Sequence, residues 1–457
     1  MEPMSIREIE KAVHGVWWNP REGAEDVSSV TTDSRNVPAG SLFIPIVGEK
    51  FDGHRFIGAA LDQGAAGVLC AKLPEDLRPD KFYIKVADTR LALKDLARHY
   101  REKFTIPVVQ ITGSVGKTTT KDMIAAVLAQ KYRVLKTAEN FNNDIGTPLT
   151  LLGLDHTHEA AVIETGMNHF GEIRYLGEMV QPDIAVISNI GDAHIEFLGS
   201  REGILKAKAE ILENLRPGGT VILNGDDALL NTLTPPFETL RCGQGENCAY
   251  RVGEIADHGV DGITCCLTTP QGEYRLTIPA PGEHMVYSAS MAAAIGEKLG
   301  LTAAEIARGV ACYTPTGSRM RVLRLPEERT VLDDCYNANP QSVTAALEIL
   351  AKTDCAQRVA VLGDMGELGD LTVQAHYNMG ALAVMLGIDL VIAIGTHAAK
   401  IAEGVDCSGG EALHFATKEE ALPTIRAQLT PQTAMLIKAS HAMRFGQLVE
   451  ALQASYD

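Results

Sequence analysis

The chain has 457 residues, 46% hydrophobic and 22% charged, proportions of a globular protein that exclude disordered and fibrous classes and a length that suggests about three domains. Asp and Glu outnumber Lys and Arg 58 to 41, a net charge of −17, and no basic patch is visible that would hold nucleic acid against that field. No apolar run approaches the roughly 20 residues of a membrane span, so stable membrane insertion is not expected, and Met1-Glu2-Pro3-Met4 lacks the basic and apolar regions of a signal peptide.

In chain order, 41–47, 67–70 and 82–86 read as short strands between glycine turns, and 91–103 as a helix that closes a small α/β domain over 1–103. From 104 the style changes to strand–helix alternation. Strands are expected at 107–112, 133–137, 160–164, 184–189 and 220–224, with helices at 117–130 and 204–215 between them. That rhythm implies βαβ units and a mostly parallel sheet. Residues 241–279 break it with alternating strands and turns, expected as an antiparallel edge, before a helix at 285–299. Thr314-Pro315-Thr316-Gly317-Ser318 reads as a hinge, which bounds a central domain over 104–313. Strands at 330–334, 358–362, 390–394 and 434–438 then build a second doubly wound domain over 314–457. The nine cysteines have no C-x-x-C spacing, which favours free thiols in a cytoplasmic protein over a zinc cage or a disulfide framework.

The strongest motif is Val108-Val109-Gln110-Ile111-Thr112-Gly113-Ser114-Val115-Gly116-Lys117-Thr118-Thr119. An apolar strand runs through a glycine turn into a helix, where backbone N–H groups of Gly113, Ser114, Val115 and Gly116 and the helix N-terminus can cradle phosphates. Lys117 would reach the β and γ phosphates, Thr118 would ligate Mg²⁺, and Thr119 continues the turn. The first glycine of the eight-residue phosphate-loop pattern is replaced by Ile111. Mg²⁺ needs further oxygen ligands, expected at the ends of strands beside the loop. Glu164 and His194 stand at such ends, with a solvated loop side chain as the alternative for each.

These runs, together with Asn140–Leu149, Ala207-Lys208-Ala209-Glu210, Asp334–Pro340, Gly363–Gly369 and Asp33-Ser34-Arg35, resemble the Mur ligase family of peptidoglycan synthesis over nearly the whole chain. The resemblance implies three α/β domains: a small UDP-sugar-binding domain, a central phosphate-loop ATPase and a C-terminal Rossmann-like domain. It implies an amide ligase that uses ATP, two Mg²⁺ ions, UDP-N-acetylmuramoyl-tripeptide and D-alanyl-D-alanine, acts through an acyl phosphate, and is expected to be a monomer. Lys117, Lys208 and His194 would be catalytic. Thr118 and Glu164 would hold one Mg²⁺, and His194 with a carbamylated Lys208 the second. Asn142 and Asn143 would contact phosphate or acceptor, and Arg319 would reach ATP from beyond the hinge.

Ser34 and Arg35 are candidate contacts for the substrate diphosphate, a bidentate task suited to guanidinium, with a surface ion pair as the alternative for Arg35. Asn337 and Asn339 could line the ATP or the dipeptide site, with a cap on the helix starting near Pro340 as the alternative. Asp364, Glu367 and His376 divide between site and loop. Three departures stand out. The family's His-Asn-x-x-Asn is His284-Met285-Val286-Tyr287-Ser288, which removes an adenine contact. Its Glu-Met-Gly-Ala is Glu164-Thr165-Gly166-Met167, and its Lys-Gly-Ser-Arg is Lys438-Ala439-Ser440-His441. The relatives that add the preceding, diaminopimelate residue carry Asp-Asn-Pro-Arg in the C-terminal domain, whereas this chain has only Asn19-Pro20-Arg21, in the first.

Overall fold

The computed structural model describes residues 1–18, 26–48 and 51–456, so Asn19-Pro20-Arg21 lies outside the described residues. Three sheets follow one another along the chain. The first contains β1 (Val16–Trp18), β2 (Val30–Thr31), β3 (Leu42–Phe43), β4 (Gly67–Cys70) and β5 (Phe82–Lys85) in the order β1-β5-β4-β3-β2. Only β1 is antiparallel to its neighbour. The strand expected over 41–47 is two residues long. Ile44 N–H still donates to Thr31 O, but Pro45 has no N–H to continue the ladder.

The second sheet is built from β6 (Val108–Thr112), β7 (Val134–Lys136), β8 (Ala160–Glu164), β9 (Ile184–Ile187), β10 (Thr220–Asn224), β11 (Glu238–Gly243), β12 (Tyr250–Asp257), β13 (Ile263–Thr269) and β14 (Gly272–Ile278). Its order is β14-β13-β12-β11-β10-β9-β6-β8-β7. Strands β6, β8 and β9 are buried along their full length, as expected of parallel strands covered on both faces. The edge over 241–279 is antiparallel only from β12 to β14. β11 runs parallel to β10, and the start of β12 parallel to β11, because the chain between Asn224 and Glu238 crosses back to the edge where β10 began.

The helix expected over 204–215 is an α-helix at Arg201–Ala209 followed by a 3₁₀ turn at Glu210–Asn214. Ser200 starts it early by accepting a bond from Gly203 N–H. Glu210 turns away to accept the N–H groups of Gly171 and Arg174 and so caps the helix Glu172–Val180.

The third sheet comprises β15 (Arg321–Leu325), β16 (Arg329–Asp333), β17 (Gln357–Gly363), β18 (Leu390–Ile394), β19 (Ala412–Phe415) and β20 (Thr433–Lys438), ordered β15-β16-β20-β17-β18-β19 with only β15 antiparallel. It has its own apolar layer on each face. The first two sheets instead share one core, in which Met4, Ile9, Leu93 and Leu96 pack with Leu151, Ile163, Leu176 and Met179. Tyr100 O–H donates across that seam to Leu154 O at 2.6 Å. Among the described residues, no helix is long and apolar enough to cross a membrane.

Candidate active site

β6 lies between β8 and β9, and the chain leaves it first toward β8 and later toward β9. Such a reversal opens a crevice at the carboxyl ends of the strands. The turn Gly113–Gly116 fills that position, and the helix Lys117–Leu128 follows it. Gly116 caps the helix at φ +77°, a left-handed conformation that glycine adopts without steric cost. A Cβ on Gly113 would meet Ser188 Oγ at 1.9 Å, so the close approach of β9 also demands glycine.

The end of β9 holds the loop in shape. Asn189 Oδ1 accepts Val115 N–H at 2.9 Å, Asn189 Nδ2 and Ser188 Oγ both donate to Val115 O, and Ser114 Oγ accepts Gly191 N–H at 2.8 Å. Asn189 ends the strand expected over 184–189 but is not among the site candidates named from the sequence. Its signal was the same as that of His194, a polar residue just past a buried strand.

Thr118 and Glu164 meet across the crevice, with Thr118 Oγ1 donating to Glu164 Oε2 at 2.7 Å. Asn142 Nδ2 donates to Glu164 Oε1 at 2.9 Å. Glu164 N–H is in turn bonded to Thr137 Oγ1, and the buried Lys121 donates to Thr137 O. Asn143 accepts Ile145 and Gly146 N–H and starts the helix Gly146–Leu151. Lys117 Nζ folds back on the loop and donates to Gly113 O at 2.8 Å. Burial, chiefly, and the nearby Arg319 push its ammonium below the ordinary lysine range.

Lys208 reaches the same carbonyl from behind, with Nζ 2.9 Å from Gly113 O. It is 1% exposed, and burial, then the Lys117 charge, hold its pKa well below the ordinary value. Lys206 points the other way and lies over the Phe170 ring, so the two lysines occupy different faces.

The C-terminal domain forms the opposite wall of one cavity of about 740 Å³, which Ser114 to Thr120, Asn142, Asn143, Glu164, His194, Arg319, Tyr336, Asn337 and Gln341 line. Arg319 Cζ lies over the Tyr336 ring, 3.6 Å from its centroid. His194 Nδ1 is 2.7 Å from Glu367 Oε2, at ion-pair distance but off the axis of a hydrogen bond. The His194 ring holds the Glu367 carboxyl below the usual range.

Asn337 faces the cavity, while its carbonyl accepts Lys438 Nζ. Asn339 is a helix cap: its Oδ1 accepts Ser342 N–H at 2.9 Å and Pro340 opens the helix. Asp364 accepts Ala398 N–H, and His376 is buried between Met365 N–H and Thr372 O. Both are loop anchors. Ser34 and Arg35 lie away from the cavity. Arg35 forms a two-bond ion pair with Asp33, an exposed pair that holds the Asp33 carboxyl down to about 2.

At the departures, Met285 and Ser288 line the cavity, but Ser288 Oγ is 2.9 Å from Thr120 Oγ1 and is thus turned toward the phosphate-loop helix. The sequence reading missed Tyr336 and Asp334 as site residues. Asp334 accepts the buried Lys438 ammonium at 2.5 Å.

The oxygen donors fit a hard cation. A hydroxyl and a carboxylate converge where phosphates would lie, the pattern in which Mg²⁺ keeps waters and takes its other ligands from a nucleotide. Among the described residues no three His, Cys, Asp or Glu converge on one point.

Comparison with known proteins covers the same regions. Residues 26–101 match the Mur ligase family catalytic domain, 111–296 the Mur ligase middle domain and 318–441 the Mur ligase glutamate ligase domain. The UDP-N-acetylmuramoyl-tripeptide–D-alanyl-D-alanine ligase of Bacillus subtilis is 36% identical, across 98% of this chain and 98% of that protein. The Escherichia coli protein of that name is 36% identical over 94% and 95%. A crystal structure of MurF from Acinetobacter baumannii superposes with a TM-score of 0.91 at 33% identity over 99% of both chains. MurF ligase from Thermotoga maritima in complex with ADP gives 0.83 at 26% identity, covering 94% and 97%.

Proposed function

The chain belongs to the Mur ligase family, and from that premise we propose that it joins D-alanyl-D-alanine to UDP-N-acetylmuramoyl-tripeptide with cleavage of ATP. The product is the UDP-N-acetylmuramoyl-pentapeptide precursor of peptidoglycan. The relatives' activity supports this reading, and one observation of geometry carries it. A phosphate loop, the Thr118–Glu164 oxygen pair and a cation from the C-terminal domain face one another across a single cavity.

The reaction must bring two anions together. A carboxylate oxygen of the tripeptide attacks the γ-phosphorus, the bond to the β-phosphate oxygen breaks, and ADP leaves. The neutral amine of the dipeptide then attacks the acyl carbon, phosphate departs and the amine loses a proton. The loop N–H groups and Lys117 hold the transferring phosphoryl group, and Arg319, over the Tyr336 ring, offers its N–H fork to the charge that develops. Asn337 orients the nucleotide from the same side. Asn142 steadies Glu164, and Asn143 shapes the turn beside it. Ser34 and Arg35 receive the diphosphate of the UDP-sugar, for which Arg35 exchanges its Asp33 partner.

Mg²⁺, when bound, would neutralise both reacting anions, one ion on Thr118 and Glu164 and a second on His194 and a carbamate of Lys208. The nine free cysteines and the use of ATP support a cytoplasmic setting.

Phosphate release from the purified protein tests the function. It should require ATP, Mg²⁺, the sugar tripeptide and D-alanyl-D-alanine together. ATP turnover indifferent to both peptides, or nucleotide binding without turnover, would instead indicate a regulatory nucleotide-binding protein.

A further inference from the structure

The loop that follows β17 is built to present one side chain. Met365 and Leu368 are buried in the C-terminal core, 2% and 3% exposed, while Glu367 between them stands at φ +60°. That conformation is costly for a residue with a Cβ. The anchors on either side are strong: Met365 N–H donates to the buried His376, and Asp364 O accepts Ser440 N–H. The side chain thus held out crosses to the central domain and meets His194, itself left-handed at φ +65°. Gly369, in the same loop, packs on Glu196, two residues beyond His194. Two strained non-glycine residues on different domains face each other at 2.7 Å.

We propose that Glu367 is a positioning residue for the reaction: it holds His194 Nδ1 from the C-terminal domain, so that Nε2 is left to face a cation in the cavity. This rests on the ligase reading and extends it. A histidine that binds a metal through one nitrogen needs a partner on the other to fix its tautomer and orientation. The central domain offers His194 no such partner among the described residues. A short rotation of the ring would bring Nδ1–H onto the carboxylate. Because the partner arrives from the other domain, the site for the second cation is complete only when the two domains are together.

The test uses Mn²⁺ as the probe, counted by electron paramagnetic resonance in the presence of a non-hydrolysable ATP analogue. Glu367→Gly removes the carboxylate and also relieves the left-handed strain, so its thermal stability should equal or exceed wild type. Its affinity for the weaker of two Mn²⁺ ions should nevertheless fall about 10- to 100-fold, with the tighter ion unchanged within about twofold. Glu367→Gln keeps an acceptor oxygen and should recover most of the loss. Unchanged Mn²⁺ affinities in Glu367→Gly, or a single Mn²⁺ bound by wild type, would overturn the proposal. Neither outcome touches the ligase reading, which stands or falls on phosphate release by the wild type.

Discussion

Two lysines compete for one carbonyl at the phosphate loop: Lys117 and Lys208 both donate to Gly113 O, at 2.8 and 2.9 Å. Two ammonium ions converging on one oxygen in a largely dry site repel, which favours loss of a proton from the more deeply buried one. That is Lys208, whose pKa burial and Lys117 hold well below the ordinary lysine value. Its amine is therefore neutral over a pH range in which a solvated lysine is still charged. A neutral amine can add CO₂ and become a carbamate, an oxygen ligand of the kind Mg²⁺ prefers. Lys208→Ala should therefore lower turnover by about 100-fold or more, the scale of losing one preorganised electrostatic contact. A short carboxylic acid in the buffer should restore part of the rate. Near-wild-type turnover without added acid would remove the carbamate from the account.

At the level of elements, Asn337 and Asn339 separate a site role from a structural one within three residues. Asn339 closes a capping box with Ser342 at the start of the helix Pro340–Lys352, so Asn339→Ala should cost about 1 kcal/mol in a denaturant titration. Asn337 points into the cavity and carries no cap, so Asn337→Ala should leave that midpoint in place and raise KM for ATP. The reverse pattern would exchange the two assignments. The sequence made the buried parallel strands plain: β4, β8, β10 and β18 have the expected bounds because apolar runs end at glycine or polar turns. Edge strands β15 and β19 were not legible, since none of their residues is fully buried and no periodicity marks them. The helix Ala303–Ala311 was also missed, although Thr302 and Glu305 form a capping box that could have revealed it. In the site, Lys117, Thr118 and Glu164 were legible because each stands at the end of a buried strand or in the loop and helix that follow one. Glu367 was legible only as a choice between site and loop, and Asp334 not at all, because their partners His194 and Lys438 are brought to them only by the packing of distant elements; Tyr336 lies near its partner Arg319 but in no pattern that marks a site.

Across the whole molecule, the first two sheets share a core, whereas the third meets the second through ion pairs and the small apolar contact of Val260. Arg324 with Asp261 and Lys352 with Asp257 are ion pairs between exposed or part-buried groups, and such pairs contribute little. The segment Thr314–Ser318, with Gly317 at φ +65°, joins the shared core to the third sheet, and a swing of the third domain about it is the motion we propose. Lys117 lies before that segment and Arg319 after it, so the phosphoryl group is clamped only when the domains meet. This arrangement suits a reaction in which a reactive intermediate must wait for the second substrate without meeting water.

Direct attack of the tripeptide carboxylate on the γ-phosphate of ATP is the step on which the proposed function rests. Tripeptide labelled with ¹⁸O in its terminal carboxylate measures this. The carboxylate oxygen that bonds to phosphorus must leave with the phosphate when the amide forms, so each phosphate released should carry one labelled oxygen. Amide product accompanied by unlabelled phosphate, or by pyrophosphate and AMP, would contradict it.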